Sequence, residues 1–277
     1  GMEGFAHFEQ ITIGGQTPDG RDATNELSYT MIDSARPLQS SYPELAARIH
    51  ANTPDRFLHA VAEAIKDGKG TPKVLNDEQI VPFYLANGAT MEEALDYAGS
   101  GCIETRLVNR ETHVTGNAGI NYGSVVEMTL RNGRIKAWKD LQFGLETGDP
   151  RGFASFDDVW KAFLAQLEQV MRHIMTQQYA ALEMKPRHFA APFASMLHDL
   201  ASKECMDLHR HGEYIPGGID LSCMESIGKG TAIDSLAAIK HLIYDTKKLT
   251  WDQLLEAIEC NWEGKEAVRQ LCLNAPK

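Results

Sequence analysis

The sequence has no C-x-x-C pair, no run of lysine and arginine, no internal repeat and no Pro/Ser-rich linker. Its five cysteines, Cys102, Cys205, Cys223, Cys260 and Cys272, are odd in number and irregularly spaced. That pattern argues against a disulfide framework or a zinc knuckle, and reduced thiols are expected. Without a basic run there is nothing to follow a phosphate backbone or an anionic bilayer surface, and 38 acidic against 27 basic residues give a net charge of −11, so neither nucleic acid nor membrane is expected as a partner. No apolar stretch approaches the roughly 18 residues that would cross a bilayer, and the N-terminus lacks the basic-then-apolar order of a signal peptide. A cytoplasmic protein is the expectation.

What is present is enough apolar material for a substantial core: 277 residues, 43% of them hydrophobic, with no low-complexity tract. The first hundred residues alternate short β-like runs with helical patterns. Ile11–Ile13 precedes the glycine-rich "GGQTPDG", and "TNELSYTMIDSA" reads as a helix. Ala46–Ile49 is β-like, and "TPDRFLHAVAEAIKDG" reads as a helix with Thr53 as N-cap and Pro54 at its first position. "PKVLN" resembles a further strand, and "TMEEALDYAG" a helix with a Thr90/Glu93 capping box ending at Gly99. The fold class is therefore α/β, with a second half that is mainly helical. There Ser155 with Asp158 opens a long amphipathic helix carrying Phe156, Val159, Trp160, Phe163, Leu167, Val170, Met171 and Ile174 on one face, and further helices are expected near Pro192–Leu208, Thr231–Tyr244 and Thr250–Asn261. "HGEYIPGGIDLSCMESIGKG" reads as a long loop or strand–loop.

The stretch "GSGCIET" holds the sharpest candidate chemistry. A lone cysteine is most often a packed small hydrophobe. Around Cys102, however, Gly99 and Gly101 remove side-chain bulk, and Glu104 follows two residues on, which in an extended segment puts both side chains on one face. A carboxyl beside a sulfur can relay protons to whatever the sulfur attacks. Other candidates read more plainly. "IGKGT" (227–231) fails as a phosphate loop because Gly230 separates Lys229 from Thr231, and "GSGCIE" fails the dinucleotide fingerprint at Glu104. His198, His209 and His211, with Asp199 and Cys205, fit no standard zinc spacing and read as solvated or hydrogen-bonded imidazoles.

Five stretches in order, "ITIGGQTPDGRDATNELS" (11–28), "GCIET" (101–105), "NAGINYGSVVEMTLRNG" (117–133), "GLETGDPR" (144–151) and "TAIDSLAAIK" to "NAPK" (231–277), resemble the central and later core of the glycyl radical enzymes related to pyruvate formate-lyase. Ile103 stands where that family usually has valine. The resemblance implies a partial pyruvate formate-lyase-like core domain over residues 1–277, part of a ten-stranded β/α barrel. It implies a radical lyase in which Cys102 becomes the thiyl that takes hydrogen from a small organic substrate and Glu104 is its proton-transfer partner. It also implies a glycyl radical generated by a radical-SAM activase, in a C-terminal loop expected outside these residues, so that this chain alone does not turn over. A homo-oligomer is expected.

Within the family, pyruvate formate-lyase itself uses two adjacent cysteines, and Cys102 is followed by Ile103. "ETRLVNRETHVTGNAGIN" with "GLETGDPR" leans to the aryl-acetate decarboxylases, where a second carboxylate, here Glu225, would assist; the alternative for Glu225 is a solvated loop glutamate. The dehydratases usually carry an aspartate downstream of the Gly-Cys-x-Glu motif, and Gly116, Asn117 and Ala118 stand nearby instead. The alternative readings are a diol- or amino-alcohol-type dehydratase, or a non-catalytic fragment or subunit completed by a partner that carries the glycyl radical.

Overall fold

The computed structural model describes residues 10–38, 44–101, 104–112, 118–211, 215–219 and 224–276. Contacts divide the chain into two units, residues 1–114 with 185–222 and residues 115–184 with 223–277.

The first unit is built on a three-stranded parallel sheet, in the order β1 (Gln10–Gly14), β2 (Glu44–Ile49), β3 (Lys73–Asn76). Parallel neighbours need long crossovers, which α1 (Glu26–Ala35) and α2 (Asp55–Lys66) supply. Strand β2 is central, and Glu44 to Arg48 are all buried, as a strand covered on both faces must be. Its alternation splits the core: Leu45 and Ala47 pack with Ile13, Ile32, Phe57, Val61 and Ala64, whereas Ala46 packs with Leu75, Val81, Tyr84, Leu95 and Tyr97.

After β3 come α3 (Asp77–Ala86) and α4 (Met91–Leu95), then an antiparallel pair, β4 (Ala98–Ser100) and β5 (Glu104–Arg106). Sequence periodicity gives no sign of α3, whose interior Pro82 argues against a helix. The capping box of α4 is present, but the helix stops at Leu95 and Gly99 lies in a strand. The buried Tyr97 side chain draws the chain out of the helix, so Gly99 serves close strand packing and not a helix end. Likewise Pro54, not Thr53, is the N-cap of α2, because the Thr53 hydroxyl accepts instead from the His50 amide at 2.8 Å.

The expected helix over Pro192–Leu208 is three short ones, α7 (Pro192–Leu197), α8 (Asp199–Glu204) and α9 (Leu208–His211), labelled after the long α6 (Phe156–His188). The backbone is extended at His198 and left-handed at Cys205, with φ of 53°. One face of α7 is open, with Phe193, Met196 and Leu197 each about 70% exposed.

In the second unit β6 (Ala118–Asn121) runs parallel to β9 (Met224–Ile227), and Asn121 caps α5 (Tyr122–Leu130) through its side chain. Five of the nine α5 residues are buried, so the helix shows no amphipathic stripe and is not legible from periodicity. A short hairpin, β7 (Arg134–Ile135) with β8 (Leu141–Gln142), leads toward α6. Val159, Phe163 and Ile174 of α6 pack with Val125, Met128, Leu236 and Trp251. Gln166 of α6 is fully buried and holds the "GLETGDPR" segment, donating to the Leu145 carbonyl at 2.7 Å and accepting from its amide at 2.9 Å. A Cβ on Gly144 would meet that carboxamide oxygen at 2.1 Å, which accounts for the glycine. Helix α10 (Lys229–Ile239) starts two residues before the expected Thr231 and passes into a π-helical turn at Lys240–Asp245. Helix α11 (Trp251–Glu259) has the expected Thr250/Gln253 box, and α12 (Glu266–Leu273) follows. Among the described residues no helix is long and apolar enough to cross a membrane.

Candidate active site

The antiparallel pair around the cysteine motif is held by its flanks. Cys102 and Ile103 fall outside the described residues, between Ser100 and Glu104, which are register partners. Gly101 has φ of 66°, in the left-handed region where a glycine carries no steric penalty. A Cβ there would stand 3.2 Å from Glu104 Oε2, so the glycine leaves the carboxylate room to lie close to the glycine's own backbone. The Gly101 carbonyl accepts from Gln10 Nε2 at 2.9 Å, and the Gly99 amide donates to Thr12 Oγ1 at 2.9 Å. At Gly99 an added Cβ would meet the Gln10 carboxamide at 1.9 Å and the Ala46 Cβ at 3.0 Å. The two glycines therefore let β4 lie against β1 and let Glu104 approach the main chain.

Strand β5 is fixed on its other side. The Tyr84 hydroxyl donates to Thr105 Oγ1 at 2.8 Å. The buried Glu111 carboxylate accepts from Arg106 Nη1 at 3.3 Å and from the Leu107 amide at 3.1 Å. Glu104 is thus carried on a strand that pairs with β4 and whose next two residues, Thr105 and Arg106, are held by Tyr84 and Glu111.

Below the pair lies a buried ionic network that sequence reasoning missed. Arg48 and Asp77 form a two-bond ion pair, Nε to Oδ1 and Nη2 to Oδ2, each 3.0 Å. The Tyr97 hydroxyl donates to Asp77 Oδ1 at 2.6 Å, and the Arg48 guanidinium lies 3.9 Å from the Tyr97 ring centroid. An arginine directly after the apolar "LAA" of β2 was the available signal, since a charge in a fully covered strand requires a buried partner. Burial, then the hydrogen bond to Asp77 and its charge, pushes the Tyr97 phenol well above its ordinary value, with Arg48 opposing. A raised value means that the folded state keeps a proton the unfolded chain releases. Stability is then present in full below the ordinary value of 10.0 and declines as pH rises past it, by up to about 1.4 kcal/mol per pH unit. Urea titrations between pH 9 and 11 should show this decline, and Tyr97→Phe should flatten it; an unchanged slope in Tyr97→Phe would refute the assignment.

Of the candidate histidines, His198 is a hydrogen-bonding imidazole, whereas Nδ1 of His209 is buried without a hydrogen-bond partner. His198 Nε2 lies 3.0 Å from the Glu111 carbonyl, and its Nδ1 accepts from the Ala201 amide at 3.3 Å. Among the described residues no group of three His, Cys, Asp or Glu side chains could hold a metal.

Glu225 is not a loop residue: it is half-buried on β9, opposite Gly119 of β6. The pairing of β6 with a strand a hundred residues later is what its loop-like surroundings concealed. Glu104 belongs to the first unit and Glu225 to the second. Gly116 and Asn117 lie outside the described residues.

The sequence model of the pyruvate formate lyase-like proteins matches residues 1–277. The chain is 52% identical over 274 residues to isethionate sulfite-lyase of Desulfovibrio desulfuricans, covering 99% of this chain and 33% of that protein. It is 35% identical over 272 residues to trans-4-hydroxy-L-proline dehydratase of Clostridioides difficile, covering 98% of this chain and 34% of that one. The crystal structure of the hydroxyproline dehydratase from the same organism superposes with a TM-score of 0.76 at 33% identity, covering 97% of this chain and 33% of that chain. The glycyl radical subunit of 4-hydroxyphenylacetate decarboxylase from Clostridioides difficile is 26% identical. The chain thus spans about a third of the length of the curated relatives it matches.

Proposed function

From the membership of this chain in the pyruvate formate lyase-like family, we propose that it carries the cysteine–glutamate half of a radical lyase active site, and that the reaction is a C–S or C–O elimination. The fold is the α/β barrel type of the glycyl radical enzymes, with a mainly helical second half. The reading rests on one observation: 52% identity to a sulfite-lyase and 35% to a dehydratase, against 26% to a decarboxylase subunit. The lean toward aryl-acetate decarboxylation in the sequence therefore gives way to elimination. The first substrate to test is isethionate, the compound in the name of the 52% identical relative.

The glycyl radical, when present, supplies the one-electron oxidation that turns a thiol into a hydrogen-abstracting group. The chain's own part is to present Cys102 and hold Glu104 beside it. The contact at Gly101 supports this, because the Glu104 carboxylate lies so close to that glycine that an added Cβ would stand 3.2 Å from Oε2. The role assigned to Glu104 is to take the proton of the substrate hydroxyl, which becomes a carbonyl as the neighbouring group departs, and to pass that proton to the departing group, acting as general base and then acid. The role expected of Glu225 belonged to decarboxylation and is not carried into the elimination reading.

The test is to express the coding sequence with its natural flanks, activate it anaerobically with a matching radical-SAM activase, and assay isethionate, trans-4-hydroxy-L-proline and 4-hydroxyphenylacetate in parallel. Release of sulfite from isethionate is expected. Turnover of the arylacetate alone would overturn the elimination reading.

A further inference from the structure

The "GGQTPDG" motif, the buried arginine of β2 and the start of β4 converge on one side chain. We propose that Arg48 is a positioning residue for the glutamate-bearing strand pair: its guanidinium fixes where β4 begins, and through β4 it fixes Glu104. This inference rests on the assignment of Glu104 made above.

The second half of the guanidinium points away from Asp77. Arg48 Nη1 donates to two carbonyls, those of Leu95 and Tyr97, both at 2.9 Å. Leu95 closes α4, and its carbonyl is among the helix-end acceptors that lack an intrahelical donor. Tyr97 immediately precedes Ala98, the first residue of β4. A single nitrogen therefore sets the spacing between the end of a helix and the first residue of the strand. From there the order passes along β4, through Gly99 to Thr12 and Gly101 to Gln10, and across the register pair Ser100 and Glu104.

The glycine motif explains how an arginine fits there. Gly15 has φ of 78°, and a Cβ on it would stand 2.7 Å from Arg48 Nε. Gln16, the next residue, donates to Asp77 Oδ2 at 3.2 Å. "GGQ" is thus the wall of a guanidinium slot, which gives this part of the motif a task independent of any ligand. Arginine is required by the geometry: a planar fork reaches a carboxylate on one edge and two carbonyls on the other, whereas a lysine ammonium is a point charge with three donors.

The experiment compares Arg48→Lys with Val61→Ala, a core truncation in α2 that destabilises the same unit without touching the network. Both are read first by hydrogen–deuterium exchange of the full chain. Peptides over residues 95–106 in Arg48→Lys should exchange about tenfold faster or more, those over α2 remaining near wild type, because local openings are separable from global ones. Val61→Ala should give the reverse. In the activated protein, Arg48→Lys should lower kcat about 10–100-fold with KM within about twofold and the glycyl radical signal at wild-type amplitude, the expected cost of a displaced group that does not itself bind substrate. If Arg48→Lys does not fold, Gly15→Ala crowds the same guanidinium and should give the same localised exchange. Uniform or unchanged exchange, or a kcat equal to that of Val61→Ala, overturns the proposal. A wild-type protein that forms its radical yet turns over no substrate counts against the functional reading, and the exchange arm then decides the positioning role by itself.

Discussion

Glu104→Gln should lower turnover of the activated enzyme by about 10²–10⁴-fold, the range typical of a lost general acid–base group, while leaving fold and radical yield unchanged. The carboxamide has nearly the same shape, so it fits the space that Gly101 leaves open, where an added Cβ would come within 3.2 Å of the present carboxylate. It cannot hold a proton reversibly. Cys102→Ser should abolish turnover altogether, because an alcohol O–H is too strong a bond to yield its hydrogen atom under the same conditions. The two variants separate the roles. Hydrogen exchange between substrate and Cys102 should persist in Glu104→Gln, seen as deuterium washed from labelled substrate, and disappear in Cys102→Ser. Near-normal product release by Glu104→Gln would remove Glu104 from the mechanism and leave its position over Gly101 a packing feature.

Asp77→Ala should cost about 3–5 kcal/mol of stability, the usual consequence of deleting one partner of a buried ion pair. Arg48 is 5% exposed and Asp77 1% exposed, so neither can turn to water. Removing the carboxylate leaves a buried guanidinium with two of its bonds unmade and the Tyr97 hydroxyl without its acceptor. Asp77→Asn keeps an oxygen for one of these donors and should lose less. The double variant Arg48→Met with Asp77→Leu should recover much of the deficit, because replacing both charges by apolar groups removes the desolvation cost together with the attraction. Urea unfolding followed by circular dichroism reads all three. A loss below 1 kcal/mol for Asp77→Ala would mean that water reaches the network.

Much of the fold was legible. Alternating β-like and helical patterns before residue 77 correspond to β1 through β3 and the helices between them, and the Thr90, Ser155 and Thr250 signals mark true helix starts. The failures have separate causes. Helix α3 carries an interior proline, α5 is buried on most of its surface, and Gly99 serves strand packing in a place where a helix-ending glycine looks identical in sequence. At the candidate site Cys102 and Glu104 were visible because glycines, sulfur and acid stand together within six residues. Arg48, Asp77 and Tyr97 are separated by 29 and 20 residues, and no local pattern joins them.

The sequence by itself determined the family, through five ordered motifs, and it offered Cys102 and Glu104 as candidates for the chemistry, because a sulfur and a carboxyl stand two residues apart between small neighbours. Only the tertiary structure decided how Glu104 is held, because that depends on groups brought together across the fold. A parallel strand pair buries an arginine, a distant aspartate must neutralise it, and the remaining donors fall on the carbonyls that lead into β4. The cost of leaving those buried groups unpaired, and not any preference of the local sequence, sets where the glutamate stands.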